Sequence, residues 1–138
     1  MTYFKDEQEV YQYLGQLFLE LLADEELMTQ FKTADTIVQY RYSKPTSQIT
    51  VKLLESQDGQ VDLGPTELAP ELVMSMDADI AHRFWLGEVN VTMALARRQI
   101  KTQGPVAKLL KLAPLLDPVG ARYRALLAAA GRDDLIAG

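Results

Sequence analysis

The strongest constraint on this chain is a change of hydrophobic period. Val10, Leu14, Leu17, Phe18, Leu21 and Leu22 recur at three- and four-residue intervals, the spacing of one helix face. From residue 36 the period becomes two. In residues 36–43, Val38, Tyr40 and Tyr42 alternate with Gln39 and Arg41; in residues 47–55, Ile49, Val51 and Leu53 alternate with Thr50 and Lys52. Half-buried strands alternate in this way. A chain that opens helical and turns to strands must fold its sheet against those helices, because neither buries its apolar face alone.

Local signals mark where the elements begin and end. Asp6 suits a helix N-cap with Glu9 as its capping-box partner, and Asp24 caps a short second helix through Met28 and Phe31. Lys44-Pro45-Thr46 is a turn between the first two strands, and Asp58-Gly59 is a hairpin signal ahead of a short strand, 60–63. Gly64-Pro65 and Pro70 bracket a loop. A fourth strand, 71–76, places Leu72, Met74 and Met76 on one face.

Asp77 then reads as the N-cap of a helix bearing Ile80, Ala81, Phe84 and Trp85, which Gly87 stops. A short helix over 90–97, a fifth strand over 98–103 and a terminating Gly104 follow. Pro105 opens a helix with Val106, Leu109, Leu110 and Ala113 on its apolar face, and Pro114 breaks it. Asp117-Pro118 starts a last helix, which Gly131 ends. The expectation is one domain, residues 1–138, of the α/β (α+β) class, with a mainly antiparallel sheet covered by helices on one face.

Most catalytic chemistry lacks its parts. The chain has no cysteine, so thiol nucleophiles, disulfides and cysteine-ligated zinc are excluded. There is no glycine-rich phosphate loop, and no cofactor is expected. His82 is the lone histidine and has no nucleophile or orienting acid beside it in sequence. It reads as a surface or partly packed helical residue. Asp77-Ala78-Asp79 falls short of an oxygen-ligand cation site and is explained by capping and the helix dipole, so no metal is expected. Met1 to Glu9 is polar and acidic without a signal-peptide core, and Ile136-Ala137-Gly138 is not a peroxisomal tripeptide. The expectation is a cytoplasmic protein.

The formal net charge of −5 argues against a nucleic-acid partner, but the charge is unevenly placed. Residues 1–31 hold seven acids and one base, whereas residues 97–124 hold seven bases and one acid. The second half is also rich in large apolar side chains, among them Met74, Met76, Phe84, Trp85, Met93 and Ile100. Methionine and leucine make adaptable walls for flexible ligands. Spacing alone favours plain core over a cavity.

The order of several short patterns carries more. Residues 50–112 are framed by Ile49-Thr50-Val51-Lys52-Leu53, then Asp58-Gly59-Gln60-Val61 with Gly64 three residues on, then Leu72-Val73-Met74-Ser75-Met76-Asp77. Gly87-Glu88-Val89-Asn90 follows, with Ala94 in the next helix. Ile100-Lys101-Thr102-Gln103-Gly104 then leads to Val106-Ala107-Lys108-Leu109-Leu110-Lys111-Leu112. In this order the stretch resembles the sterol carrier protein type 2 domain, the sterol-transfer family. Two positions depart from it. Arg97-Arg98 stands where members often have a glycine before the last strand, and Glu88 where they often have a lysine.

The resemblance implies a five-stranded sheet covered by helices with an apolar tunnel between them. It implies non-enzymatic binding and transfer of a lipid such as a sterol, fatty acid or fatty acyl-CoA. From the apolar pattern, the expected wall residues are Met74, Met76, Phe84, Trp85, Met93, Ile100, Val106, Leu109 and Leu110. Lys108, Lys111, Arg122 and Arg124 lie off the apolar helix faces. They would meet an anionic headgroup or membrane surface, or simply form a solvated face balanced by the acidic N-terminal helices. The competing reading is an accessory module that presents a lipid to, or regulates, a lipid-metabolising enzyme.

Overall fold

The computed structural model describes residues 3–105 and 107–137, with backbone alone for Leu109 and Ala137. Helix α1 runs over residues 7–23. Its middle, Tyr11–Gly15, is a π-helical turn between Glu7–Val10 and Gln16–Ala23. The expected cap forms: Asp6 Oδ1 accepts from the Glu9 amide at 3.0 Å. Glu9 reaches back one residue further than a capping box requires, accepting from the Lys5 amide at 2.9 Å. Helix α2, Glu25–Phe31, is capped by Asp24, which accepts from the Leu27 amide at 3.0 Å.

Five strands form one sheet: β1 Thr36–Ser43, β2 Ser47–Leu53, β3 Gln60–Leu63, β4 Leu72–Asp77 and β5 Ile100–Gln103. Their order is β3-β2-β1-β4-β5. The β1–β4 pair is parallel and the other three pairs are antiparallel, so the sheet is mixed and mainly antiparallel, as expected. A parallel pair needs a crossover, and residues 64–71 supply it, returning from the β3 edge to the far side of β1. Hydrogen bonds fix both its ends: Gly64 N–H to Gln48 O at 2.9 Å and Glu71 N–H to Ile37 O at 3.0 Å.

The alternation assigns the two faces. Val38, Tyr40, Tyr42, Ile49, Val51, Leu53, Met74 and Met76 are buried in the main core. Phe18 of α1 and Trp85 close over Tyr40, with ring centroids 5.3 and 6.1 Å away. On the opposite face Gln39 and Thr50 are also buried, and they satisfy each other through a 3.0 Å hydrogen bond.

The remaining helices are α3 Ala78–Trp85, α4 Val91–Ala96, α5 Ala107–Leu110, α6 Leu116–Ala129 and α7 Asp133–Ala137. The last was not expected, since Gly131, at φ 73°, ends α6 but lets the chain turn into a further helix.

Four local expectations are corrected. Asp77 occupies the N-cap position of α3, but its side chain makes no capping bond; it accepts instead from the Ser43 hydroxyl, its register partner across the β1–β4 pair. Asp58-Gly59 does not form a two-residue hairpin, because β2 ends at Leu53 and the connection spans residues 54–59. A Cβ on Gly59 would stand 2.4 Å from Met28 Cε and 2.7 Å from Leu22 Cδ1, so this glycine admits two helix side chains. The fifth strand starts at Ile100 because Arg98 takes left-handed backbone, φ 60°. A glycine would adopt this geometry without strain. His82 is fully buried, because residues 3–4, α6 and α7 all pack onto it.

Candidate ligand cavity

Beneath the helices the sheet's inner face is not completely filled. A cavity of about 200 Å³ remains over the centre of the sheet. Phe18, Leu21 and Leu22 of α1 and Met28 and Phe31 of α2 wall one side. The sheet contributes Tyr40, Val51, Leu53, Val61, Met74 and Thr102. Phe84 and Trp85 of α3 complete the wall, and Val91 and Leu95 of α4 with Leu110 of α5 stand at the open end. Leu110 is 65% exposed and Leu95 37%, although both line the cavity, which places its mouth between α4 and α5.

Leu112, Ala113 and Leu116 extend the lining along the 3₁₀ turn that leads into α6. Among the described residues no lining residue is charged, and the only lining side chains that carry a nitrogen or oxygen are Tyr40, Thr102 and Trp85.

Register explains where the hollow lies. Tyr40 of β1, Met74 of β4 and Thr102 of β5 form one cross-strand row, and the neighbouring row on the same face is Tyr42, Met76 and Ile100. The cavity lies over the first row. None of the second row lines it.

Of the residues expected to form the wall, the structure therefore brings together Met74, Phe84, Trp85 and Leu110. Met76 and Ile100 lie one row away; Met76 borders a separate, more polar depression of about 380 Å³ with Ser43, Ser75, Asp77, Arg98 and Lys101. Met93 is 44% exposed and does not line the cavity, because Val91, Ala94 and Leu95 form the inward side of α4. Val106 and the Leu109 side chain lie outside what the structure describes.

The helix α1 and α2 side chains and the β1–β3 residues were missed as wall. Their signal was present in the same alternation that marks the strands, but an apolar residue on an inner face looks alike whether a neighbour or a void stands opposite.

The basic side chains are largely engaged within the molecule. Lys108 Nζ lies 2.9 Å from Glu71 Oε1 and 3.0 Å from the Asp35 carbonyl. Arg122 Nη2 lies 2.6 Å from Asp24 Oδ2, tying α6 to the acidic N-terminal helices. Arg124 donates to the Leu86 carbonyl, and Lys111 is exposed. Burial raises the Tyr40 phenol pKa far above its ordinary value. The phenol therefore stays protonated at neutral pH.

His82 is no part of the cavity. Its Nε2 lies 2.7 Å from the Leu135 carbonyl oxygen and its Nδ1 2.7 Å from the Tyr123 hydroxyl. Both ring nitrogens are occupied by structural bonds, and neither meets a carboxylate or a nucleophile.

Fold and cavity together define the class: an α+β domain in which helices cover one face of a five-stranded mixed sheet and leave an apolar hollow above it. The chain belongs to the SCP-2 sterol transfer family, whose profile matches residues 16–117. Comparison with solved structures gives the same fold. The sterol carrier protein domain 2 of Helicoverpa armigera superposes with a TM-score of 0.65 at 16% identity, covering 85% of this chain and 91% of that one. The apo sterol carrier protein 2 of Yarrowia lipolytica gives 0.59 at 17% identity, over 71% of this chain and 89% of that one. A protein described as UbiJ-SCP2, a ubiquinone synthesis protein, gives 0.55 at 13% identity, over 80% and 97%. No curated protein matches by sequence.

Proposed function

We propose that this protein binds an apolar, chain-bearing lipid in the cavity between its sheet and helices, and transfers or presents it without covalent chemistry. The observation that carries this reading is the hollow itself: about 200 Å³ with no charged residue in its lining and a mouth of exposed leucines. An unfilled void of this kind forfeits contacts among its wall atoms. A lipid chain would restore them, at about 0.8 kcal/mol per buried methylene before the cost of ordering the chain. Such affinity is non-directional, so the chain portion would be recognised by volume more than by pattern. No described helix is long and apolar enough to cross a membrane, and we place the protein's work in the cytoplasm, loading at a lipid surface. Lys111, beside the mouth residue Leu110, is the predicted cation left for an anionic headgroup or membrane.

The test is native mass spectrometry of gently purified protein together with displacement of an apolar fluorescent probe. The wild type is expected to carry a lipid or to bind the probe. Val51→Trp, which puts an indole into the hollow, is expected to weaken binding at least tenfold. A protein that is empty and also fails to bind the probe would refute the carrier reading. The competing reading, an accessory module that presents a lipid to a partner enzyme, would be favoured by a lipid-metabolising enzyme co-purifying in stoichiometric amount.

A further inference from the structure

The cavity's polar side-chain atoms are few. Among the described residues no protein group hydrogen-bonds the Tyr40 or Thr102 hydroxyl, and neither is sealed off within the wall of the hollow that both residues line; Thr102 is only half-buried. Met74 lies between them in their cross-strand row, so their backbones stand two strand spacings apart, roughly 10 Å. Tyr42, stacked on Tyr40 at 6.4 Å, is buried as well, and its hydroxyl also has no partner. The Trp85 side chain comes near enough to lower that phenol's pKa against the effect of burial, but not with hydrogen-bonding geometry.

A hydroxyl that opens into an apolar hollow and has no protein partner is free to bond what fills that hollow. A wall meant only for hydrocarbon would carry phenylalanine and valine at positions 40 and 102, which keep the shape without the hydroxyls. Both residues line the hollow read as the lipid site.

We propose that the cavity selects a neutral, oxygen-bearing lipid, a ketone, ester or alcohol, whose oxygen accepts a hydrogen bond from Tyr40 or Thr102 while its chain fills the apolar remainder. This rests on the reading of the cavity as a lipid site and deepens it by naming the ligand's polar group. An ionised carboxylate is disfavoured at the same spot. No lysine, arginine or histidine lines the cavity to pair with it, and an unpaired buried charge is far costlier than a neutral oxygen. An ionised fatty acid would have to keep its headgroup at the mouth, beyond reach of the sheet row.

The test compares four twelve-carbon probes, dodecane, 2-dodecanone, 1-dodecanol and dodecanoate, for displacement of an apolar fluorophore. The protein is the full chain, as wild type, Thr102→Ser, and the double variant Tyr40→Phe with Thr102→Val. One hydrogen bond contributes a factor of roughly two to twelve. The wild type is expected to bind the ketone and alcohol about fivefold or more above the alkane. The double variant is expected to bring them to the alkane's level while the alkane's own affinity stays put, which also shows that the hollow is intact. Thr102→Ser, which keeps a hydroxyl, is expected to retain the preference.

Equal affinity for ketone and alkane in the wild type, or a preference that survives the double variant, would overturn the selection while leaving the lipid-site reading standing. Dodecanoate binding above the ketone and unchanged by the double variant would overturn it too. Binding of none of the four probes removes both readings.

Discussion

Mild acid is expected to weaken this fold through one side chain. His82 is the chain's only histidine and therefore its one side chain with an ordinary pKa between pH 5 and 8. The Leu135 carbonyl 2.7 Å from Nε2 can only accept, so Nε2 carries the proton, and Nδ1 accepts from the Tyr123 hydroxyl. Burial lowers the His82 pKa, outweighing the Leu135 bond and the charges of Glu88 and Asp79, which act to raise it. Below about pH 6.5 the unfolded chain takes up a proton that the native state refuses. Stability is thus full above that pH and falls as the pH drops toward the lowered native value. The slope is at most about 1.4 kcal/mol per pH unit, so moving from pH 7.5 to 5.5 costs up to about 1.4 kcal/mol.

Urea unfolding at pH 7.5, 6.5 and 5.5 measures this directly in the wild type and in His82→Gln. The glutamine amide keeps a donor for Leu135 without a titrating group. The wild type should lose stability over this range and the variant should stay flat. Asp62, Glu71 and Asp134 do not intrude, since hydrogen bonds hold their pKa values below the ordinary 3.8 to 4.5, so the stability they contribute is lost only in stronger acid. The same pH dependence in both proteins, or a flat wild type, would refute the reasoning.

Two further outcomes follow from the backbone. Gly59→Ala is expected to push Met28 and Leu22 toward the cavity, costing about 1 kcal/mol by overpacking and weakening apolar-probe binding; unchanged stability and binding would show that the two side chains relax elsewhere. Arg98→Gly is expected to raise stability by about 0.5 kcal/mol in thermal unfolding. The left-handed geometry costs a non-glycine residue about 1–2 kcal/mol, and glycine's extra chain entropy returns part of the gain.

What could be read from the chain follows from locality. Periodicity and turn chemistry placed Thr36–Ser43 and Gln60–Leu63 as the structure has them, and the Asp6 and Asp24 caps formed as expected. These depend on a few neighbouring residues, and their physics is complete within one or two turns of chain. The order of short patterns also pointed to the sterol-transfer family, to which the chain belongs.

Long-range packing decided the rest. Nothing near His82 in sequence announces Tyr123 and Leu135, 41 and 53 residues away, which bury it. Asp77 and Ser43 are brought together by a parallel pairing that local signals do not specify. The cavity is the clearest case. Tyr40, Met74 and Thr102 line the hollow while Tyr42, Met76 and Ile100, two residues along the same strands, do not. Both rows are written in the same alternating code. The sequence by itself determined which face of each strand turns inward, because burial follows the pleat; only the tertiary structure decided which inward row meets a void, because a void is what the helices fail to fill.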